Sequence, residues 1–193
     1  MPTVKEAVQH LYNTAAQTPT STLRLHSLAE YCVGQLASRG LTGVQFEVTL
    51  PGGAREKNWD LAYFRHNKPR LAISLKSILQ NLSGTVPNRI DDLIGEVANL
   101  QMYSPEIVCG YLIVFDISQD QHSAKHGQTW AELLGQRLKS LTGRKMPAWG
   151  TGMIEASQII RVDFSKKADL LTTQKEMDAF FDALVEQVNS RNP

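Results

Sequence analysis

Apolar residues recur every three or four positions in five segments of the chain, which predicts five amphipathic helices. They cover about residues 4–12, 22–40, 89–103, 129–141 and 173–188. Ser21 or Thr22 is expected to cap the second helix, and Gly40 is expected to end it. The polar residues 81–88 are predicted to form a loop before the third helix.

Other apolar patterns predict five β-strands. Residues 44–50 alternate apolar and polar side chains, as in a half-buried strand. Residues 59–64 and 71–75 predict two further strands that continue an antiparallel meander. Residues 107–115 are almost all apolar, which indicates a strand buried on both faces, and a last strand is predicted at about residues 154–162. The alternation of strands and helices predicts an α/β fold.

The composition narrows the class of protein. A chain of 193 residues is long enough for a single domain with a sizeable core. Its 20 basic and 19 acidic side chains nearly cancel, so a nucleic-acid surface has to be a local patch. Cys32 and Cys109 lie in apolar surroundings and are predicted to be reduced core residues that build no zinc site.

The first residues lack the apolar core of a signal peptide, and no apolar run approaches the length of about 18 residues that a membrane span needs. We therefore expect a cytoplasmic protein without a membrane partner.

Three residues on the predicted strands at residues 59–64 and 71–75 are the first candidates for a metal-binding or catalytic site. Asp60 lies near the start of one strand, and Ser74 and Lys76 lie near the end of the next. Side chains two positions apart on a strand share a face, so Ser74 and Lys76 point the same way. In an antiparallel pair, Asp60 and Lys76 meet at one end of the sheet, where they suit a divalent metal beside a phosphate. Ser74 stands where such a site needs a second carboxylate.

The following helix supplies candidates for the missing acid. With Ile90 at zero on a helical wheel, the apolar face centres near about 340°, and Glu96 at about 240° borders that face. Asp92 at about 200° points further toward solvent, and Asp91 lies on the opposite flank. Glu96 also has the longer side chain, so we prefer it, with Asp92 as the alternative.

These residues resemble the PD-(D/E)XK nuclease superfamily. The likeness is carried by Asp60, Ser74-Leu75-Lys76 and Gly95-Glu96-Val97-Ala98-Asn99-Leu100. More narrowly, they are similar to type II restriction endonucleases in which serine takes the usual acid position and a glutamate of the next helix supplies the carboxylate. This sequence departs from the family at Trp59, where a proline is usual, and in the long predicted loop before the helix.

The resemblance covers roughly residues 44–116 and implies a restriction-endonuclease-like core, a mixed β-sheet flanked by helices. Residues 44–116 would be the catalytic core of one domain spanning residues 1–193. N-terminal helices would occupy residues 1–40, and residues 117–193 would add C-terminal helices, a strand and possible DNA-contact loops.

The resemblance also implies Mg²⁺-dependent hydrolysis of phosphodiester bonds in double-stranded DNA, as by a type II restriction enzyme, and a homodimer that cuts both strands. Asp60, Glu96 and the backbone carbonyl of Leu75 would bind the Mg²⁺ ion. Lys76 would orient or help deprotonate the attacking water and offset negative charge. The neighbours of this site, as hydrogen-bonding groups or supplementary acids, are expected to be Ser74, Asp92 and Glu47.

Contacts with DNA are expected from basic and amide side chains, since phosphate neutralisation carries most of the affinity. The candidates are Arg55, Lys57, Gln80, Asn81, Asn88, Arg89, Lys125, Arg144 and Lys145. Trp149, in the same glycine-containing loop as Arg144, is a candidate for stacking on a base. His122 and His126 have a spacing that suits zinc on a helix, but turn-forming residues around them disfavour a helix.

Two other functions fit the same residues. A junction resolvase or a repair nuclease would share the core and its chemistry, because a fold does not set the substrate. A catalytically inactive domain that binds nucleic acid or a protein partner is favoured by Ser74 in the acid position.

Overall fold

The computed structural model describes residues 1–15, 22–145 and 149–191, so Ser21, one of the two expected helix caps, lies outside the described residues. The helices in these ranges are α1 (Val4–Ala15), α2 (His26–Ser38), α3 (Leu82–Tyr103), α4 (Trp130–Leu141) and α5 (Gln174–Arg191). A short 3-10 turn at Thr22–Leu25 precedes α2, so the N-cap of α2 is Leu25 and not Thr22. None of the helices in the described ranges has the length and hydropathy needed to cross a membrane.

The strands form one large sheet and one small hairpin. The large sheet consists of β1 (Gln45–Leu50), β2 (Lys57–Arg65), β3 (Lys68–Ile78), β4 (Val108–Asp116), β7 (Ala156–Asp163) and β8 (Asp169–Leu170). The hairpin consists of β5 (His122–Ser123) and β6 (Gln128–Thr129).

The large sheet is mixed, with the strand order β1-β2-β3-β4-β7-β8. Antiparallel pairing joins β1 to β2, β2 to β3 and β7 to β8, and parallel pairing joins β3 to β4 and β4 to β7. The predicted α/β class, with a mixed sheet flanked by helices and a meander at its start, is confirmed.

Each face of the sheet is covered by helices that bury an apolar core. One core packs α1, α2 and α5 against strand residues such as Leu61 and Ile73. The other packs α3 and α4 against residues such as Ala72 and Ile113. Every residue of β4 is buried, because parallel strands flank it and helices cover both faces, as predicted for residues 107–115.

Both cysteines lie in these cores as free thiols, as predicted. Burial raises the pKa of the Cys32 thiol and of the Cys109 thiol well above the usual range. Both therefore behave as small apolar side chains.

Helix α3 begins at Leu82, so the prediction of a loop at residues 81–88 was wrong. Leu82 and Val86 lie one turn apart, and they are only 2% and 1% exposed. Burial of these two side chains outweighs the polar neighbours that suggested a loop. Pro87 is tolerated because it removes a single intrahelical hydrogen bond near the start of the helix. The long loop expected after Lys76 is therefore absent from the described chain.

The predicted alternation of β1 fails at Glu47, which has a φ of 49°, in the left-handed region. Phe46 packs on the face covered by α2, at 5.6 Å between its ring centroid and that of His26. Val48 packs on the face covered by α3. A residue in the left-handed conformation rotates the side chains that follow it, which explains the reversal of faces.

The neighbouring strand reverses at the same level. Trp59 packs in the core under α3, but Leu61, two residues later, packs in the core under α2. Because Phe46 pairs with Leu61 and Val48 pairs with Trp59, the reversal places Asp60 opposite Glu47.

Candidate functional site

Asp60 lies in a fork between two strands. The pairing of β2 with β3 ends at Leu61 and Ile73, and beyond this point β2 continues along β1 and β3 continues along β4. The Asp60 carboxylate occupies the fork, where its Oδ2 accepts a 2.7 Å hydrogen bond from the backbone N–H of Leu75. The backbone donor that the missing strand pairing leaves open is thereby satisfied.

Ser74 and Lys76 point toward the same carboxylate. The Ser74 hydroxyl donates to Asp60 Oδ2 at 3.4 Å, and Lys76 Nζ lies 3.8 Å from the same oxygen. The side chains of Asp60 and Lys76 remain 36% and 22% exposed, so a solvent-borne ligand can reach them. The second oxygen, Asp60 Oδ1, accepts no hydrogen bond from the part of the chain that the structure describes, and is open to a ligand.

Glu96 reaches the sheet from α3 but contacts a different residue. Its Oε1 lies 2.7 Å from Lys57 Nζ, and the two side chains are 14% and 31% exposed. Among the described residues, no hydrogen bond or ion pair joins Glu96 to Asp60 or Lys76. The structure therefore brings Asp60, Ser74 and Lys76 together and holds Glu96 beside them in a separate ion pair.

Asn99, one turn after Glu96, fixes the chain that carries Lys57. Its Oδ1 accepts hydrogen bonds from the backbone N–H groups of Ala54 and Arg55, and its Nδ2 donates to the Arg55 carbonyl at 2.8 Å. A cavity of about 180 Å³ lies beside this clamp, and Lys57 and Glu96 line it. Sequence reasoning missed Asn99, because its contact with the backbone of Ala54 joins residues 45 positions apart.

Tyr111 on β4 interacts electrostatically with both parts of the site, because the carboxylates of Asp60 and Glu96 both act on its phenol. It is the direct partner of Ser74 in the strand register, so its side chain shares the face of Ser74. Burial raises the pKa of the Tyr111 phenol well above its usual range; Arg89 opposes this shift, and the carboxylates of Glu96, Asp92 and Asp60 add to it. The protonated phenol of Tyr111 therefore lies within electrostatic range of the three acids proposed from the sequence, which are Asp60, Asp92 and Glu96.

Sequence reasoning also missed Tyr111, although a tyrosine in an almost entirely apolar strand was a usable signal, because a buried phenol needs a partner. Its hydroxyl lies 3.4 Å from the Arg89 carbonyl of α3, to which it donates.

The acids of the site provide the kind of donors that Mg²⁺ binds, but not as a ready cluster. Among the described residues, no group of three or more His, Cys, Asp and Glu side chains lies close enough to hold a metal ion. Asp60 Oδ1 is open, whereas Glu96 is neutralised by Lys57. Asp92, the alternative acid, accepts a 2.9 Å hydrogen bond from Arg89 Nη1. Hard carboxylate oxygens fit Mg²⁺, provided that Lys57 releases Glu96.

The neighbours expected around this site occupy different environments. Glu47 faces Asp60 across β1 and β2 and is exposed. The strained backbone of Glu47 is the kind of feature that clusters at functional sites. Leu75 is buried, at 2% exposure.

The predicted DNA contacts fall into three groups. Arg55, Gln80, Asn81, Asn88, Lys125 and Lys145 are exposed. Lys57 and Arg89 are half-buried and paired with the α3 carboxylates of Glu96 and Asp92. Arg144 is only 3% exposed, so the predicted DNA contact does not fit this residue.

Arg144 instead belongs to a buried ion cluster. Its Nη1 lies 3.2 Å from Glu155 Oε1, and Arg191 Nη2 lies 2.8 Å from the same oxygen. The Trp149 ring lies under both guanidinium groups, at 5.3 Å from Arg144 Cζ and 5.1 Å from Arg191 Cζ. Trp149 therefore has a cation–π role inside the protein. The partners Glu155 and Arg191 lie 11 and 47 residues after Arg144 in the sequence, and both were missed.

The histidine pair forms no helix. His122 lies in β5, and His126 lies in the turn that follows it, where its ring packs on Trp130 at 5.5 Å between centroids. The zinc spacing is therefore not realised on a helix, in agreement with the turn-forming residues around it.

Comparison with protein-family models, curated proteins and solved structures found no match to this chain. The fold defines the class of protein, an α/β protein with a mixed six-stranded sheet between helical layers.

Proposed function

We propose that this chain is a Mg²⁺-dependent endonuclease that hydrolyses phosphodiester bonds of double-stranded DNA, with a restriction-endonuclease-like core formed by β1, β2, β3, α3 and β4. One observation carries the proposal. Asp60 and Lys76 meet in the fork between β2 and β3, 3.8 Å apart, with one carboxylate oxygen open and both side chains accessible to solvent. An accessible acid and lysine at a fork in a sheet suit the binding of a phosphodiester and its attack by water.

Asp60 and Glu96 would hold the metal, with the Leu75 carbonyl as a third oxygen ligand. Bound Mg²⁺ would lower the pKa of a coordinated water and stabilise charge on the scissile phosphate. For Glu96 to take part, Lys57 has to leave it. The Lys57 ammonium, which lies near the exposed Arg55, could then bind a neighbouring DNA phosphate.

The remaining groups of the site have roles that follow from their contacts. Lys76 would orient the attacking water and offset the negative charge that develops on the phosphate. Ser74 donates its hydroxyl proton toward Asp60, and so acts as a hydrogen-bonding neighbour and not as a nucleophile. Tyr111 remains protonated, because burial keeps its pKa high, and it donates its hydroxyl proton to the Arg89 carbonyl. Cutting both strands requires two such sites, which a homodimer would supply.

A second candidate is a non-catalytic domain that binds nucleic acid or a protein partner. It is favoured by the ion pair between Lys57 and Glu96, because the Lys57 ammonium already neutralises the carboxylate that a metal would need. Ser74 in place of an acid is a second observation in its favour.

Incubation of plasmid DNA with the purified chain, with Mg²⁺ and with EDTA, separates the two candidates. Discrete fragments in Mg²⁺ alone, with sequenced ends that share a site, would support a restriction enzyme. Cleavage confined to branched DNA would indicate a junction resolvase. Binding of DNA without cleavage, and the same binding by Asp60→Ala, would favour the non-catalytic domain.

A further inference from the structure

A cavity of about 390 Å³ opens beside the end of β3. Ser77 follows Lys76 directly, so the alternation of a strand sends its side chain to the opposite face of the sheet. The cavity is lined by residues of α1, of the end of β3 and of the first turns of α3, and its polar lining consists of Arg24, Ser77, Gln80, Thr85 and Arg89 together with the Tyr12 phenol. At about 30 Å³ for each water molecule, it has room for an anion and its hydration shell.

Two guanidinium groups give this cavity a positive lining. Burial, followed by repulsion from Arg89, lowers the pKa of the Arg24 guanidinium, so the two like charges act on each other. None of the described residues that line the cavity carries a carboxylate. Asp92, which accepts a hydrogen bond from Arg89 Nη1, lies outside the lining. Two like charges in a half-buried position are stabilised by an anion between them.

The Ser77 hydroxyl supplies a buried donor for such an anion. Ser77 is 7% exposed, and its Oγ has no hydrogen-bond partner in the described chain. The Nε of Arg89 is also buried, and it too has no hydrogen-bond partner in the described chain. Buried polar atoms are nearly always paired, so two unpaired donors at one cavity indicate a ligand that accepts hydrogen bonds.

The chemistry of the lining selects among ligands. A metal cation is disfavoured by two guanidinium groups without a carboxylate, and an apolar ligand would leave the buried donors unpaired. The planar fork of arginine matches the oxygens of phosphate, and hydrogen bonds to an ionised group are strong.

We infer that the cavity formed by Arg24, Ser77 and Arg89 binds a phosphate group. The phosphate can be free inorganic phosphate or the terminal phosphate of a polynucleotide, because the lining recognises the chemistry that the two share. The inference does not depend on cleavage at Asp60, since Asp60, Lys76 and Glu96 are not among the described residues that line this cavity.

A calorimetric titration of the full chain with inorganic phosphate tests the inference. Chloride holds the ionic strength constant. We expect saturable binding that weakens roughly tenfold or more in Ser77→Ala, Arg24→Gln and Arg89→Gln, because each removes a charged or charge-assisted hydrogen bond. Arg161→Gln is the matched control, because Arg161 pairs with Glu176 outside the cavity, and its affinity should equal that of the parent chain.

The inference is overturned if phosphate binds no better than chloride, or if all four variants bind it equally. Ser77→Ala removes only an unpaired hydroxyl, so it should keep the thermal midpoint of the parent chain. If Arg24→Gln fails to fold, Arg24→Lys replaces it, since this change keeps the charge and loses the planar fork. A smaller loss of affinity is then expected.

Short DNA duplexes with 5′-phosphate or 5′-hydroxyl ends, compared in EDTA, identify the source of the phosphate. Tighter binding of the phosphorylated duplex, with the preference lost in Ser77→Ala, would support a polynucleotide end. Equal binding of the two duplexes, with inorganic phosphate still bound, would support free phosphate. A chain that cuts DNA but binds no phosphate would refute this inference alone, and the converse result would refute only the proposed cleavage.

Discussion

The Lys57 ammonium lies 2.7 Å from the Glu96 carboxylate, and this ion pair joins the strand that carries Asp60 to helix α3. Lys57 and Glu96 were assigned from the sequence to different partners, DNA and a metal. In the structure each neutralises the other. If Glu96 is the second metal ligand, as proposed, this ion pair has to open before Glu96 can bind the metal.

Replacing Lys57 by glutamine should free Glu96 for a cation. If Glu96 is a ligand, the affinity for Mg²⁺ should rise roughly two- to fivefold, the effect of removing a partly exposed competing charge. Calorimetric titration with Mg²⁺ at low ionic strength measures the change. Lys68→Gln, which removes an exposed charge at the start of β3, is the control and should have no effect. An unchanged Mg²⁺ affinity in Glu96→Gln would exclude Glu96 as a ligand.

Three substitutions test the proposed cleavage site. Asp60→Ala, Lys76→Ala and Glu96→Ala should each reduce the rate of Mg²⁺-dependent plasmid cleavage by about a hundredfold or more, because each removes a metal ligand or a charge that acts in the transition state. The thermal midpoint should stay close to that of the parent chain in Lys76→Ala and Glu96→Ala, since both side chains are partly exposed. Asp60→Ala should lower the thermal midpoint without unfolding the chain, because it leaves the backbone N–H of Leu75 without its acceptor.

Asp91→Ala, which removes an exposed acid from the same helix, is the matched control for this series. Full activity in Glu96→Ala together with lost activity in Asp92→Ala would show that Asp92 is the second acid. Full activity in Asp60→Ala would refute the proposed site as a whole.

The ion cluster around Glu155 should contribute strongly to stability. Its side chain is fully buried, between Arg144 and Arg191, and it also accepts a 2.6 Å hydrogen bond from the backbone N–H of Cys109. Glu155→Ala would leave two buried guanidinium groups without their acid, which should lower the free energy of unfolding by about 3–5 kcal/mol. Urea denaturation measures this loss.

The comparison for Glu155 is Glu106→Ala, which removes the more exposed partner of Arg70. That surface pair should contribute less than about 1 kcal/mol. Equal losses in the two variants would mean that the buried cluster has no special weight.

Stability should fall in acid partly through Glu176, which caps α5. The backbone N–H of Thr173 lowers the pKa of this carboxyl below its ordinary value of 4.5, and the Thr173 hydroxyl and Arg161 lower it further. Because the pKa is lower in the folded chain, this stabilisation is complete above the ordinary value and is lost as the pH falls through the lower folded value. Glu176→Gln should therefore lower the thermal midpoint by about 2–4 °C at pH 6 and have less effect near pH 3.

Glu186→Gln is the control for the acid effect, because Glu186 is an exposed residue of the same helix. Its thermal midpoint should follow that of the parent chain throughout. A constant difference between Glu176→Gln and the parent chain from pH 6 to pH 3 would contradict the assignment.

The candidate site was partly accessible to sequence reasoning. Strand periodicity placed Ser74 and Lys76 on one face, and both contact Asp60 in the structure. Helical phase placed Glu96 at the border of the buried face of α3, where it is 14% exposed. The partner of Glu96 escaped prediction, because a 2.7 Å contact between β2 and α3 depends on how the helix lies on the sheet.

By itself, the sequence determined the local elements and the cores. The apolar run that became β4, the five helices and the α/β class follow from periodicity, because each periodicity leaves one face or both faces apolar. Only the tertiary structure decided where α3 begins, why Trp59 and Leu61 face opposite ways, and that Arg144 is buried with Glu155. These features depend on tertiary contacts, in which burial, backbone strain and charge in different segments are satisfied together. A local pattern of residues therefore cannot predict them.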